Sequence, residues 1–258
     1  MKAQDLKNSV LQLAIQGKLV KQNEEDVPAS VLLEKIKVEK EKLIKEKKIK
    51  KEKPLPEISE EEKPFEIPES WEWVRLGEII ELISGQDMKP TEYNEKLNGI
   101  PYITGASNIE NGKLTINRWT EFARTIAIKN DILLTCKGTV GKTIIQSEDK
   151  VHIARQIMAI RCREFMNNKY IKLFIDSYVS NLQSNAKSMI PGISRDDVLK
   201  IVFPLPPLEE QKRIVSKIES IFSYIDKLQN IIDNKDLLNI VLTHKDIELE
   251  DKKVLIEK

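Results

Sequence analysis

Six apolar residues, Ile214, Ile218, Ile221, Ile225, Leu228 and Ile232, follow one another at intervals of 4, 3, 4, 3 and 4. This is a heptad seam, flanked by Val215 and Phe222, with Lys, Glu, Asp and Gln at most other positions. A helix of about 28 residues beginning near Pro207 would extend roughly 42 Å at 1.5 Å per residue. A stripe this narrow asks for one partner helix, from the N-terminal region of the chain or from another subunit.

The preceding sequence divides by pattern. Residues 1–50 are helical in spacing: Leu6, Val10, Leu13 and Ile15 mark a first helix that Gly17 interrupts or ends. A second begins near Pro28 and carries Leu32, Leu33, Ile36, Leu43 and Ile44 into a Lys/Glu run with the composition of a solvated face. Four prolines within residues 51–70 forbid helix and central strand, so an extended linker is expected there. Residues 71–204 hold β-like runs (IPYIT, DILLT, KTIIQ, VHIARQIMAIRC) between turn signals at Asn98-Gly99, Asn111-Gly112 and Lys137-Gly138. A helical pattern then follows over Asn168–Gln183. The expected fold is α+β: one β-rich globular domain over 71–204, long helices forming an antiparallel coiled coil that includes 205–235, and an off-pattern tail over 236–258.

The 258 residues carry a net charge of only +1, which excludes a polybasic tail as a binding device. Residues 71–204 are mildly basic, with 18 Lys and Arg against 15 Asp and Glu, and hold all but one of the eight arginines. Arginine's planar fork suits phosphate and guanine. Cys136 and Cys162 form neither a metal spacing nor a disulfide framework. No apolar signal core and no run of 18 apolar residues is present, so a cytoplasmic protein with no membrane association is expected.

Three catalytic patterns fail on inspection. CKGTVGKT resembles a phosphate-binding P-loop, but Cys136 stands where the first glycine belongs and a β-like run follows instead of a helix. Asp131 with Glu148, Asp149 and Lys150 mimics a metal-dependent nuclease, yet reads more simply as a charged turn. His152 and His244 have no Ser or Cys in a nucleophile context, and no Gly-rich dinucleotide loop or Asn-Pro-Pro-aromatic tetrapeptide occurs. No metal site and no catalytic residue are expected.

Several stretches together resemble the specificity subunits of type I restriction-modification systems. They are PGISRDDVLKIVFPLPPLEEQKRIV (191–215), FEIPESWEWVRLGEI (65–79), ILLTCKGTVGKTII, LKNSVLQLAIQGKLV and PASVLLEKIKVEKEKLIKE. The resemblance spans about residues 3–235. It implies a noncatalytic subunit whose target-recognition domains each read half of a bipartite double-stranded DNA target, with conserved helices setting the spacing. It also implies docking of methyltransferase subunits, which carry S-adenosylmethionine and methylate adenine, and joining by a motor-nuclease subunit. No cofactor is expected in this chain. Family members usually have two recognition domains and this sequence shows one, which implies a half-length form that dimerises on a two-fold target. A helical scaffold or decoy that binds methyltransferase without reading DNA is the alternative.

The loops Ser84–Pro90, Thr104–Lys113 and Lys137–Lys142 and the segment Asn185–Arg195 are the expected DNA contacts, because they combine Arg, Lys, Asn, Gln and Ser with turn glycines. The individual candidates are Lys89, Lys113, Lys137, Lys142, Arg155, Lys187 and Arg195. Backbone amides of Gly138 and Gly141 are candidates to cradle a phosphate.

Overall fold

The run Ile132–Thr135 is buried at every position, which a strand allows only when both of its faces are covered. Ile132 and Leu134 face one apolar cluster and Leu133 the other. Met158 and Ile160 divide from Ile157 and Ala159 in the same way on Ile157–Cys162. The period-2 alternation of two strands thus builds a sheet with helices on one side and a second sheet on the other. The computed structural model describes residues 3–49, 53–110, 112–185 and 192–234, so the expectations for Lys187 and for 236–258 lie outside the described residues.

In chain order the elements are α1 (Ala3–Ile15), α2 (Ala29–Lys45), β1 (Glu72–Arg75), α3 (Leu76–Ile79), β2 (Ile80–Ser84) and β3 (Ile100–Ile103). The short strands β4 (Ile109–Glu110), β5 (Lys113–Leu114) and β6 (Trp119–Thr120) follow, then β7 (Ile126–Ile128), β8 (Ile132–Thr135) and β9 (Thr143–Ile145). Last come β10 (Lys150–Ile153), β11 (Ile157–Cys162), α4 (Asn168–Asn185), α5 (Arg195–Leu199), β12 (Val202–Leu205) and α6 (Leu208–Asp233). One sheet has the order β2-β11-β8-β9, all antiparallel; the other has the order β6-β3-β10-β7, in which β10 and β3 are parallel. The fold is α+β, as the alternation of strand and helix patterns indicated.

Three sequence expectations change in detail. VHIARQIMAIRC is not one strand: it breaks at Ala154–Gln156, closed by Ile157 N–H to the Ala154 carbonyl at 2.9 Å, and its halves join different sheets. The second helix ends at Lys45, earlier than the Lys/Glu run suggested, because Lys47 turns into the left-handed region (φ 56°). The proline-rich linker is neither wholly extended nor detached: Glu60–Glu62 form a 3-10 turn that Ser59 and Glu62 cap. Arg75 is buried and donates to the carbonyls of Pro56 and Glu57 at 3.0 Å each and to Glu62 at 2.8 Å, and Phe65 packs on Trp73.

The two motifs that flank the globular domain are one structural unit. β1 pairs antiparallel with β12, Val74 opposite Phe203, so the domain's first and last strands close on each other. Immediately beyond them Trp71 Nε1 donates to Glu210 Oε2 at 2.8 Å, and Gln22 Nε2 donates to Glu210 Oε1 at 2.6 Å. Gln211 is equally buried; it donates to the Pro206 carbonyl at 3.0 Å and accepts the Asn167 amide ahead of α4 at 3.0 Å. α1 ends against the same place. Gly17, at φ 69°, sits where a Cβ would lie 2.5 Å from Pro68 Cγ, and Lys18 N–H closes the helix on the Leu13 carbonyl at 2.9 Å.

α6 packs on α1 and α4. Ile214, Ile218 and Ile225 of the seam are buried and Ile221 packs partly buried beside them, whereas Leu228 and Ile232 are 58% and 59% exposed. No helix among the described residues is long and apolar enough to cross a membrane.

Burial pushes the Glu210 carboxyl above its ordinary value of 4.5, against the opposing hydrogen bonds from Trp71 and Gln22. Its folded-state value therefore lies above the unfolded one, so protonation favours the fold and this contribution is lost as pH rises through the interval above 4.5. Glu210→Ala should cost about 2–4 kcal/mol, since it strands a buried indole N–H and amide. Glu210→Gln should instead lose stability relative to wild type as pH falls from 7.5 towards 4.5. Urea denaturation at several pH values checks both.

Candidate nucleic-acid interface

The break between β10 and β11 organises the surface of the globular domain. At Ala154–Gln156 the chain is too tightly turned for ladder pairing, and its exposed backbone groups are taken instead by loops far away in sequence. From the first loop, Gly85 N–H donates to the Ile157 carbonyl at 3.0 Å and Gln86 N–H to the Ile153 carbonyl at 2.9 Å. The approach is close enough that a Cβ at Gly85 would stand 2.0 Å from the Ala154 oxygen, so only glycine fits. Asp87 accepts the Arg155 amide at 3.1 Å and pairs with its guanidinium at 2.7 Å. From the third loop, Cys136 N–H donates to the Gln156 carbonyl at 2.8 Å. Ile193 N–H from the fourth segment donates to the Cys136 carbonyl at 2.9 Å. The second loop lies against the same turn, with Gly105 over the Gln156 side chain.

Each loop has its own buried clamp. Asn108 is 1% exposed; its Oδ1 accepts the amides of Thr104 at 2.9 Å and Gly105 at 3.3 Å, while its Nδ2 donates to the Thr115 carbonyl at 2.8 Å. Thr135, fully buried at the end of β8, donates from Oγ1 to the Thr139 carbonyl at 2.7 Å and accepts the Lys142 amide at 2.9 Å. His152 is buried between segments: Nδ1 accepts the amides of Arg124 (3.3 Å) and Thr125 (3.2 Å), which leaves Nε2 to donate to the Gln86 carbonyl at 2.8 Å. Burial lowers its pKa below 6.5 and keeps the ring neutral. The unfolded chain takes up that proton first, so the stability from neutral His152 is complete above 6.5 and is lost as pH falls through the folded value.

Most of the sequence-predicted contacts are carried on this one rim. Lys137 and Gly138 are exposed at the tip of the third loop, and nothing lies within 4 Å of the position a Gly138 Cβ would take. Lys89 and Lys113 are exposed on the first and second loops, and Arg155 is at the hub itself, its side chain 69% exposed beside Asp87. Lys142 is exposed, and its ammonium donates to the carbonyls of Ala106 at 3.1 Å and Ile109 at 3.0 Å, bridging the second and third loops. The two turn glycines differ. Gly141 N–H is donated to the Thr135 carbonyl at 2.8 Å, which removes it as a phosphate donor, whereas Gly138 remains open. Arg195 is set apart: it donates to the Leu82 carbonyl and lines a cavity with linker residues.

Sequence reasoning missed Gln156, an exposed amide at the hub that stood inside a run otherwise read as strand. The signal was present, because the pair Arg155-Gln156 interrupts an apolar stretch. The clamps Asn108 and Thr135 had none, since an Asn or Thr whose partners are distant backbone looks like any polar loop residue.

The nuclease pattern dissolves in the structure. Asp131 is 2% exposed and both its oxygens accept from Arg161, at 3.0 and 2.8 Å. No group of three His, Cys, Asp or Glu suited to a metal occurs among the described residues. Both cysteines are free, and burial raises both thiols, Cys162 up to about 12, so neither is a thiolate at neutral pH. The P-loop-like turn leads into strand β9 rather than a helix.

Three loops bearing exposed Lys89, Lys113 and Lys137 thus meet at one turn of an α+β domain, with the Ile193 segment bound to the third of them and a long helix beside the domain. The model of the type I restriction modification DNA specificity domain matches residues 68–236, and the chain belongs to that family. It is 36% identical over 248 residues to the EcoAI specificity subunit and 32% identical over 245 to the EcoEI specificity subunit, both from Escherichia coli. These matches cover 88% and 87% of this chain but 41% of each relative, so the chain spans about two fifths of their length. The HsdS subunit of Thermoanaerobacter tengcongensis shares the fold, with a TM-score of 0.59 and 23% identity over 88% of this chain and 50% of that one. A chain from a structure describing complex assembly and conformational transition of a type I restriction-modification system gives a TM-score of 0.61 at 22% identity.

Thr135→Val keeps the shape of the strand end but removes the hydroxyl that closes the third loop. It should cost about 1–2 kcal/mol. The Lys142 amide should lose hydrogen-exchange protection while the amides of the β8–β11 ladder keep theirs.

Proposed function

We propose that this chain is a noncatalytic DNA sequence-recognition component of a type I restriction-modification complex in the cytoplasm. It reads one half of a bipartite target and docks the methyltransferase subunits, on which S-adenosylmethionine would be carried; a motor-nuclease subunit can join the same assembly. The observation that carries the reading is the convergence of three sequence-distant loops on the Ala154–Gln156 turn, which holds exposed Lys137, Lys113, Lys89 and Arg155 beside the side-chain amides of Gln86 and Gln156. Cations contact phosphates and fix register, while amide side chains match the donor–acceptor pair of adenine in the major groove. Gln86 and Gln156 are the proposed base readers; Lys137, with the open Gly138 amide, is the proposed phosphate contact.

The apolar seam left open at Leu228 and Ile232 favours a homodimer joined through α6 as an antiparallel coiled coil. Two-fold protein symmetry then imposes a palindromic split target.

Co-expression with the cognate methyltransferase subunit, followed by mapping of methylated adenines, tests this directly. A palindromic split motif is expected. An asymmetric motif would mean that a different specificity chain supplies the other half. A stable complex that methylates nothing would overturn DNA reading in favour of a scaffold or decoy. Within an active complex, Gln156→Ala should relax one base position by about 1–3 kcal/mol, while Lys137→Ala should weaken all sequences alike and reduce the salt dependence by about one counterion.

A further inference from the structure

Beyond the recognition loops, a cavity of about 740 Å³ opens between α2, the start of the linker, β2 and α5. Its walls carry six cationic residues, Lys40, Lys48, Lys53, Arg163, Arg195 and Lys200, against two acidic ones. Both acids are engaged: Asp196 pairs with Lys200 at 2.8 Å, and Glu81 lies 3.7 Å from Arg161. Arg195 holds the Leu82 carbonyl and Lys40 reaches the Gly77 carbonyl at 3.4 Å, which fixes two of the cations on the wall. Lys48, ion-paired with Glu46 at 2.8 Å, and Lys53 are exposed along its lining.

Arg163 is the unexplained member. It is only 8% exposed, and its buried Nε finds no hydrogen-bond acceptor among the described residues. A guanidinium does not shed its proton, so burial without a partner is a standing cost that an anion would remove. Its fork is built for two oxygens of one tetrahedral anion, and the surrounding ammonium groups suit a second and third charge. From this geometry we infer that the cavity is a phosphate-binding site centred on Arg163, separate from the recognition rim.

Arg195 stands two residues after Ile193, whose amide secures the third recognition loop at Cys136. Arg163, however, follows Cys162 at the end of β11 remote from the Ala154–Gln156 turn, so the cavity lies away from the loop tips, and its phosphate has two possible sources, a free anion and the phosphodiester backbone of a bound duplex. A contact of the second kind would extend the grip on DNA without reading bases.

Two probes on the full chain decide the matter, and neither requires a known target sequence. Millimolar tripolyphosphate should raise the melting temperature of wild type. Arg163→Met should be at least as stable as wild type without the anion, and should lose that rise. As a control on folding, Lys48→Gln/Lys53→Gln changes only exposed side chains and should reduce the rise. On a duplex of arbitrary sequence, Arg163→Met should bind several-fold more weakly, with a salt slope smaller by about one. Loss of the anion effect with unchanged duplex binding would assign the site to a free phosphate. No stabilisation of wild type by tripolyphosphate, together with equal duplex binding by wild type and Arg163→Met, would overturn the site. Because the tripolyphosphate arm is independent of base reading, its failure and that of the recognition function are distinguishable.

Discussion

Glu210 is the constraint from which the assembly of the molecule follows. Its carboxylate is fully buried at the start of α6, where ionisation would be costly, and it is tolerated because Trp71 and Gln22 donate to it from two other segments. Arg213, one turn on, binds Asp26 through both guanidinium nitrogens. Gln211 meanwhile fixes the entry to α4. Several functions therefore meet in PLPPLEEQKRI: Pro206 and Pro207 end β12 and set the helix start, and Glu210, Gln211 and Arg213 behind them join the connection between α1 and α2, the residue ahead of β1 and the entry to α4. That junction adds directional polar contacts to the packing of α6 on α1 and α4, and together they fix its angle to the globular domain. A recognition rim is of use to a larger assembly only if its angle to the helices is fixed.

The rim depends on a complementary arrangement. Its tips are exposed and its foundations are buried, and the two sets are different residues. Asn108, Thr135 and His152 hold mainly backbone groups, so side chains at the tips can change without moving the frame. Gly85 sets the opposite limit, since its backbone touches the Ala154 oxygen too closely for any side chain.

The helices were legible because a 3.6-residue period survives in the sequence of any amphipathic helix: the spacing of Leu208–Asp233 and of Asn168–Asn185 identified both. The strands were legible as short apolar runs, but not their pairing. That VHIARQIMAIRC serves two sheets is a consequence of tertiary contacts, because each half is an equally good strand and only the loops docking on Ala154–Gln156 decide where it breaks. The loops themselves were chosen from composition, and their convergence was invisible, since it rests on backbone hydrogen bonds that any residue type can make. Arg75 and Arg163 show the same limit for charge. Both look like surface cations in sequence, yet one is buried against the linker and the other inside a cavity wall.

The seam of α6 has two fates along its length, and the reason is geometric. α1 runs antiparallel to α6, with Val10 and Ala14 in one cluster with Ile214 and Ile218, and with Lys7 ion-paired to Asp226 at 2.5 Å. Its 13 residues extend about 20 Å at the helical rise, against about 39 Å for the 26 residues of α6. On that register Ala3, the first described residue of α1, comes level with about position 230, so Ile232 lies past it and Leu228 is left exposed close to its end. The same periodicity that buries Ile214, Ile218 and Ile225 inside the chain continues where no described part of the chain covers it. A heptad pattern kept through such a boundary is not needed by the intramolecular core. On the proposed reading it is kept because a second helix, contributed by another copy, continues the packing that α1 begins.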